Sequence, residues 1–117
     1  LAEQGDSIAQ YAIGGMYEDG RGVPFQDYAD AIKWYRRAAE QGHTRAQFHL
    51  GVSYVGGRGV MMDLLLAHVW FSVSAANGYD NAISARDEIG QRLAPDQLKK
   101  ARAIFKRCWK KAANCPE

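Results

Sequence analysis

The chain has 117 residues, 47% of them apolar and 24% charged, with a net charge of +2. That is one domain's length with enough apolar material for a core, which excludes a disordered chain. No apolar run approaches the ~18 residues of a membrane span, which argues against helical insertion into a bilayer.

"LAEQG" at 1–5 returns as "AAEQG" at 38–42, so the chain opens on the tail of a unit and then begins a fresh one. A first helix is predicted from Ala9, Ala12, Ile13, Met16 and Tyr17, which share one apolar face, with Ser7 as its cap. Gly20 ends it, and "GRGV" turns the chain toward Asp27, the expected cap of a second helix. That helix carries Ala31, Trp34, Tyr35 and Ala38 inward and ends at Gly42. The pattern then repeats 37 residues on, as Ala46, Gln47, Leu50, Gly51, Tyr54, Gly57, Arg58, Gly59 and Val60. Past the turn the offset is 36, with Asp63, Ala67, Trp70, Phe71, Ala75 and Gly78. The first turn therefore holds one extra residue, which a loop absorbs and a helix does not. Thr44 and Asp80 stand in the register of Ser7 as further cap candidates.

Gly14 and Gly51 fall in mid-helix, where glycine costs about 1 kcal/mol relative to alanine. Their recurrence predicts a neighbouring helix too close to admit a side chain. Tyr17, Trp34, Tyr54 and Trp70 are expected to fill the space between successive helix pairs. Residues 79–98 read as a degenerate third copy that keeps Ala82 and lacks the glycine turn. Pro95 opens a last helix, expected to end near residue 113, with Leu98, Ala101, Ile104, Phe105, Cys108, Trp109 and Ala112 on one face. Residues 1–98 hold 8 basic and 12 acidic groups, and residues 99–117 hold 7 and 1.

A period of this length marks a solenoid, in which each helix pair buries its apolar faces only by stacking on the next. The recurring pattern, read as "AIGGMYEDGRGVPFQDYADAIKWYRRAAEQG" and again as "HLGVSYVGGRGVMMDLLLAHVWFSVSAANG", resembles the Sel1-like repeat, a relative of the tetratricopeptide repeat. The second copy departs from it at "MMDLLLAH". The resemblance implies an all-α fold, a right-handed α-solenoid of stacked antiparallel helix pairs. On this reading residues 1–5 are the remnant of a preceding repeat, 6–42 and 43–78 are complete repeats, and 79–117 are a degenerate repeat with a basic capping helix. It further implies a scaffold for protein–protein contacts, of a kind common in bacterial envelope, secreted and signalling proteins, so a periplasmic or secreted location is favoured over the cytoplasm. Leu1 opens directly onto "AEQGD", without the basic and apolar segments of a leader. Some cysteine-rich relatives are reported to bind β-lactams, so the resemblance implies as its alternative a β-lactam-binding protein or a weak β-lactamase-like enzyme of that kind.

The expected binding face lies opposite the apolar stripe of each first helix. It holds Tyr11, Gly15 and Glu18 in the first unit, Phe48, Val52 and Val55 in the second, and Ser84, Glu88 and Gln91 in the third. In stacked pairs that face lines the concave groove, and three apolar residues on it suggest a partner surface. Tyr11, Phe48, Val52 and Val55 are the hot-spot candidates, with Ser84 and Glu88 beside them. The partner is expected to be a protein or peptide. Two complete units are near the lower limit for a stable stack, which leaves further units or self-association as ways to extend it. No cofactor, metal site or catalytic centre is expected: His43, His49 and His68 fall at unrelated repeat positions, and no nucleophile elbow is present. His43 reads as an exposed start-of-helix residue, and His49 and His68 as partly packed. The Gly-Arg-Gly turns could hold an anion, but their repetition favours architecture. The basic last helix reads either as a solvated cap or as a patch for an acidic partner; nucleic acid is disfavoured because no aromatics interleave with its charges. Cys108 and Cys115 would be roughly 10 Å apart along a straight helix. A tail folding back could bridge them, or Cys108 could be buried with Cys115 free.

Overall fold

The structure is a computed structural model and describes residues 5–22 and 26–116. Among them are six α-helices: α1 (Ser7–Asp19), α2 (Tyr28–Glu40), α3 (Thr44–Gly56), α4 (Leu64–Ala76), α5 (Asn81–Arg92) and α6 (Pro95–Cys108). A single 3-10 turn follows at Ala112–Asn114. No strand occurs among the described residues, and the body is elongated, 43 × 25 × 22 Å. It is an α-solenoid in which α1 packs on α2, α3 on α4, and α2 on α3 to join the units. The expectation for the opening "LAEQG" and the extra residue of the first turn fall largely outside the described residues.

The helix ends follow local chemistry. Asp27 and Asp63 cap α2 and α4, accepting from the backbone N–H of Asp30 and Leu66 at 3.1 and 3.0 Å. Gly20 and Gly57 close α1 and α3 in the left-handed region, at φ 75° and 67°. The expected caps Ser7, Thr44 and Asp80 require correction. Asp6 caps α1 through Ile8 and Ala9, and the His43 ring caps α3 by accepting from Ala46 N–H at 3.2 Å. Ser7 and Thr44 are the first helical residues, one position too late for a side chain to reach back to the free N–H groups. Asp80 already has helical dihedrals and makes no side-chain cap bond.

The mid-helix glycines do what their position demands. A Cβ on Gly14 would lie 2.7 Å from the Tyr35 ring, and one on Gly51 would lie 2.5 Å from the Phe71 ring. Each pair closes by letting a second-helix ring sit on a first-helix backbone. Gln10 and Gln47, both buried, tie the same elements at their other end. Gln41 Nε2 donates to Gln10 Oε1 at 2.9 Å, and its counterpart Asn77 Nδ2 donates to Gln47 Oε1 at 3.2 Å. Gln47 Nε2 also donates to the Ala39 carbonyl at 3.0 Å, joining one unit to the next.

Burial shifts the apolar stripe of α1 from where the spacing put it. Gln10 and Gly14 mark its buried line, while Ala12 and Met16 are exposed. In α3 the equivalents of Ala9, Ile13 and Met16 (Ala46, Leu50 and Ser53) are all buried, because the preceding pair covers them. The large rings divide the same way. Tyr54 and Trp70 are buried, but Tyr17 and Trp34 are only half-buried, contrary to the expectation that all four fill inter-pair space. Trp70 lies under the guanidinium of Arg36 from the preceding unit, 5.0 Å from its ring centroid. Among the described residues no earlier second helix does this for Trp34, whose ring is instead covered by its own neighbour Arg37 at 4.7 Å.

The C-terminal segment completes the cover. Cys108 and Cys115 form a disulfide with Cα atoms 5.0 Å apart. A helix continuing to residue 113 could not make that approach, and α6 ends at Cys108. The bridge holds the tail across α2 and α4. Arg36 donates to the carbonyls of Cys115 and Pro116, and Trp70 Nε1 donates to Pro116 at 3.3 Å.

Candidate functional site

The candidate residues lie on α1, α3 and α5, the first helices of successive units. On α1 and α3 they form a row of rings. Tyr11 stacks on His43 at 4.6 Å, and its hydroxyl lies 3.0 Å from His49 Nε2. His49 stacks on Tyr35 at 5.0 Å, and Phe48 meets His49 at 6.1 Å, Phe71 at 5.4 Å and Tyr79 at 5.2 Å. Arg45 lies over the Tyr79 ring at 6.0 Å and gives that end of the row a positive charge. Tyr11, His43, Phe48, His49 and Tyr79 are half-buried, and Tyr35 and Phe71 beneath them are buried.

Two cavities flank the row. One, about 570 Å³, is walled by Tyr11, Gly15, Glu18, Asp19, Tyr35 and His49. Burial, the largest cause, holds the Tyr35 phenol well above its ordinary range, and the negative charge of Glu18 adds to it. Burial pushes His49 down from the usual imidazole value, against an opposing pull from Glu18 and Asp19. His43 is lowered too, by burial and then by Arg45. The second cavity, about 150 Å³, is lined by Val52, Val55, Phe71, Ala85, Glu88, Ile89 and Arg92. It is apolar in its walls and charged at its rim.

The structure thus gathers the candidates into two groups. Val52, Val55 and Glu88 share one cavity, Tyr11 lines the other with Gly15 and Glu18, and Phe48 stands between them. Ser84 is exposed, lines neither, and donates to its own helix at Asn81. Gln91 falls on another side of α5, toward α6. Sequence reasoning missed His43, His49, Tyr35 and Tyr79 as members of the row. His43 is a half-buried ring on Tyr11, not an exposed helix start. Its cue was the position one residue before Thr44, the same register as Asp6.

A model of the Sel1 repeat family matches residues 7–43 and again 44–79. Among solved structures, the chain is similar to c5321, a protective antigen present in uropathogenic Escherichia coli strains that displays an SLR fold. The TM-score is 0.91 at 33% identity, over 96% of this chain and 24% of that one. It is also similar to a Sel1 repeat protein from Oxalobacter formigenes, with a TM-score of 0.72 at 40% identity, over 74% of this chain and 65% of the other. The chain thus spans about a quarter of the first protein's length and just under two thirds of the second's. No curated protein matches it.

Proposed function

The chain belongs to the Sel1 repeat family, and on that premise we propose that it is an interaction scaffold that holds a protein or peptide along α1, α3 and α5. Repeats of this family are commonly interaction scaffolds and generally not enzymes. The observation that carries the reading is the face of α3. Val52 is 39% exposed beside the half-buried Phe48 and Val55, where solvent alone favours polar side chains. Tyr11 and Phe48 supply half-buried rings, the kind of anchor that dominates interface energetics, and Glu88 with Arg92 forms a polar rim. Residues 6–42 and 43–78 serve as the complete repeats, and 79–117 closes the stack. The disulfide supports an oxidising compartment, hence a periplasmic or secreted protein. Self-association through the same face is the competing occupant.

The test is site-specific photocrosslinking from position 52 in the native host, with position 106 on the outer side of α6 as control. The expected result is a discrete heteromeric product from position 52 alone, lost in Phe48→Asp and in Tyr11→Ala while helical circular dichroism is kept. Equal products from both positions, or products unaffected by those substitutions, contradict the proposal. A product of twice the chain mass assigns the face to self-association.

A further inference from the structure

The third helix pair does not close. α6 packs against α4, and α5 packs against α4, but α5 and α6 make no extended contact with each other. At the position of Gly14 and Gly51, α5 carries Asp87, so no second-helix ring can settle on its backbone. The connection at Leu93 and Ala94 has no glycine turn to bring the helices alongside. What remains is a cleft of about 610 Å³ between α5 and α6, floored by α4.

Its lining is chemically specific. Ile83, Leu98 and Phe105 form apolar walls, and Arg86 and Arg102 project from opposite sides. Arg86 is paired with Asp87 at 3.0 Å, whereas Arg102 has no carboxylate partner among the described residues. On the floor His68 is 5% exposed and Ser72 is 6% exposed. The Ser72 hydroxyl donates to the His68 carbonyl at 2.7 Å, and its oxygen lies 3.4 Å from His68 Nδ1. With the one hydroxyl proton committed, Nδ1 carries the ring proton and Nε2 presents its lone pair. Nε2 has no partner among the described residues and faces the cleft beside Gly90. A Cβ on Gly90 would come to 3.5 Å from it, an ordinary contact that would narrow the cleft.

We infer that this cleft is a binding site for a small organic carboxylate with an apolar body. The carboxylate sits on the Arg102 guanidinium, which matches it in charge and in planar geometry, while Leu98, Phe105 and Ile83 take the body. His68 is the built-in reporter. Burial, then Arg86 and Arg102, lower its pKa, and Asp87 opposes them. These are the titratable and charged groups that α5 and α6 turn toward it. A bound anion offsets the two guanidiniums and so raises the pKa of His68. The site is distinct from the ring row, whose histidines, His43 at the start of α3 and His49 within it, serve as internal controls.

The experiment follows the histidine ring resonances of the intact, oxidised protein by NMR, with 3-phenylpropionate as probe and 3-phenylpropanol as its uncharged counterpart. The expected result is a saturable shift of the His68 resonance with the acid, a raised His68 pKa in its presence, and unmoved His43 and His49. Arg102→Ala, an exposed substitution, should weaken the response at least about tenfold, with Arg102→Lys intermediate. No response by about 10 mM acid overturns the inference. So does an equal response to the alcohol, or an undiminished one in Arg102→Ala.

Discussion

The first two helix pairs and the third are built from the same plan and end differently. In α1/α2 and α3/α4 a glycine admits a ring from the second helix, at Gly14 and Gly51, and the helices lie flush. In α5/α6 an aspartate stands at that point, no ring enters, and a lined cleft remains. An aspartate at that register position and a connection without a glycine turn distinguish the open pair from the two sealed ones. A second difference runs along the stack. Trp70 is fully covered, by Arg36 and by the tail, while the equivalent Trp34 is only half-buried.

The most damaging way to break that contrast is to empty the covered position. Trp70→Ala should cost about 3–5 kcal/mol, and Trp34→Ala less, because that side chain is only half-buried. Urea unfolding of the two variants side by side checks it, and equal losses would mean that the two positions are equally packed. Next in size is reduction of the disulfide. Opening its seven-residue loop should lower stability by about 2–3 kcal/mol. It should also free the tail from Arg36 and Trp70, which tryptophan fluorescence in denaturant with and without reductant will read as a red shift before global unfolding. Gln47→Leu comes third. It leaves the Ala39 carbonyl and Asn77 without their buried partner, at about 1–3 kcal/mol.

The smallest effect is a pH dependence. His43, His49 and His68 all have folded-state pKa values below the usual 6.5. The unfolded chain therefore binds protons first as pH falls, and stability drops from about pH 6.5 downward through the depressed values, then levels. Above pH 6.5 these groups contribute no slope. Chemical denaturation between pH 5 and pH 8 measures it. His68→Gln should remove part of the slope, and a profile that stays flat below pH 6.5 would contradict the burial of these rings.

Much of this was legible in the sequence because it is periodic. The offset of 37 and then 36 located both pairs, and a helix-breaking residue kept twice in mid-helix, at Gly14 and Gly51, announced close approach before any coordinate was known. The face of α1 was harder to read. Ala9, Ala12, Ile13 and Met16 look like a core stripe, but burial depends on what lies beside the helix, and only α3 has a described neighbour on that side. Gln10 and Gln47 recur as faithfully as the glycines, yet polarity hid them, since a buried glutamine reveals itself only through its partners. The histidines were missed as a group for a related reason. His43, His49 and His68 occupy unrelated repeat positions, and only the fold brings the first two onto Tyr11 while sending the third to the floor of the cleft. That cleft arises where periodicity fails, so no repeat-based reading could outline it.

The most direct test of the closed and open pairs is to place one methyl group in each. Gly51→Ala and Gly90→Ala make the same chemical change in the interior of a first helix, and thermal unfolding compares them under identical conditions. The methyl at 51 meets the Phe71 ring and should cost about 1–3 kcal/mol. The methyl at 90 meets only ordinary contacts and should stabilise by up to about 1 kcal/mol through helix propensity. Opposite signs support the account, and two losses of similar size would show that the third pair is closed as tightly as the others.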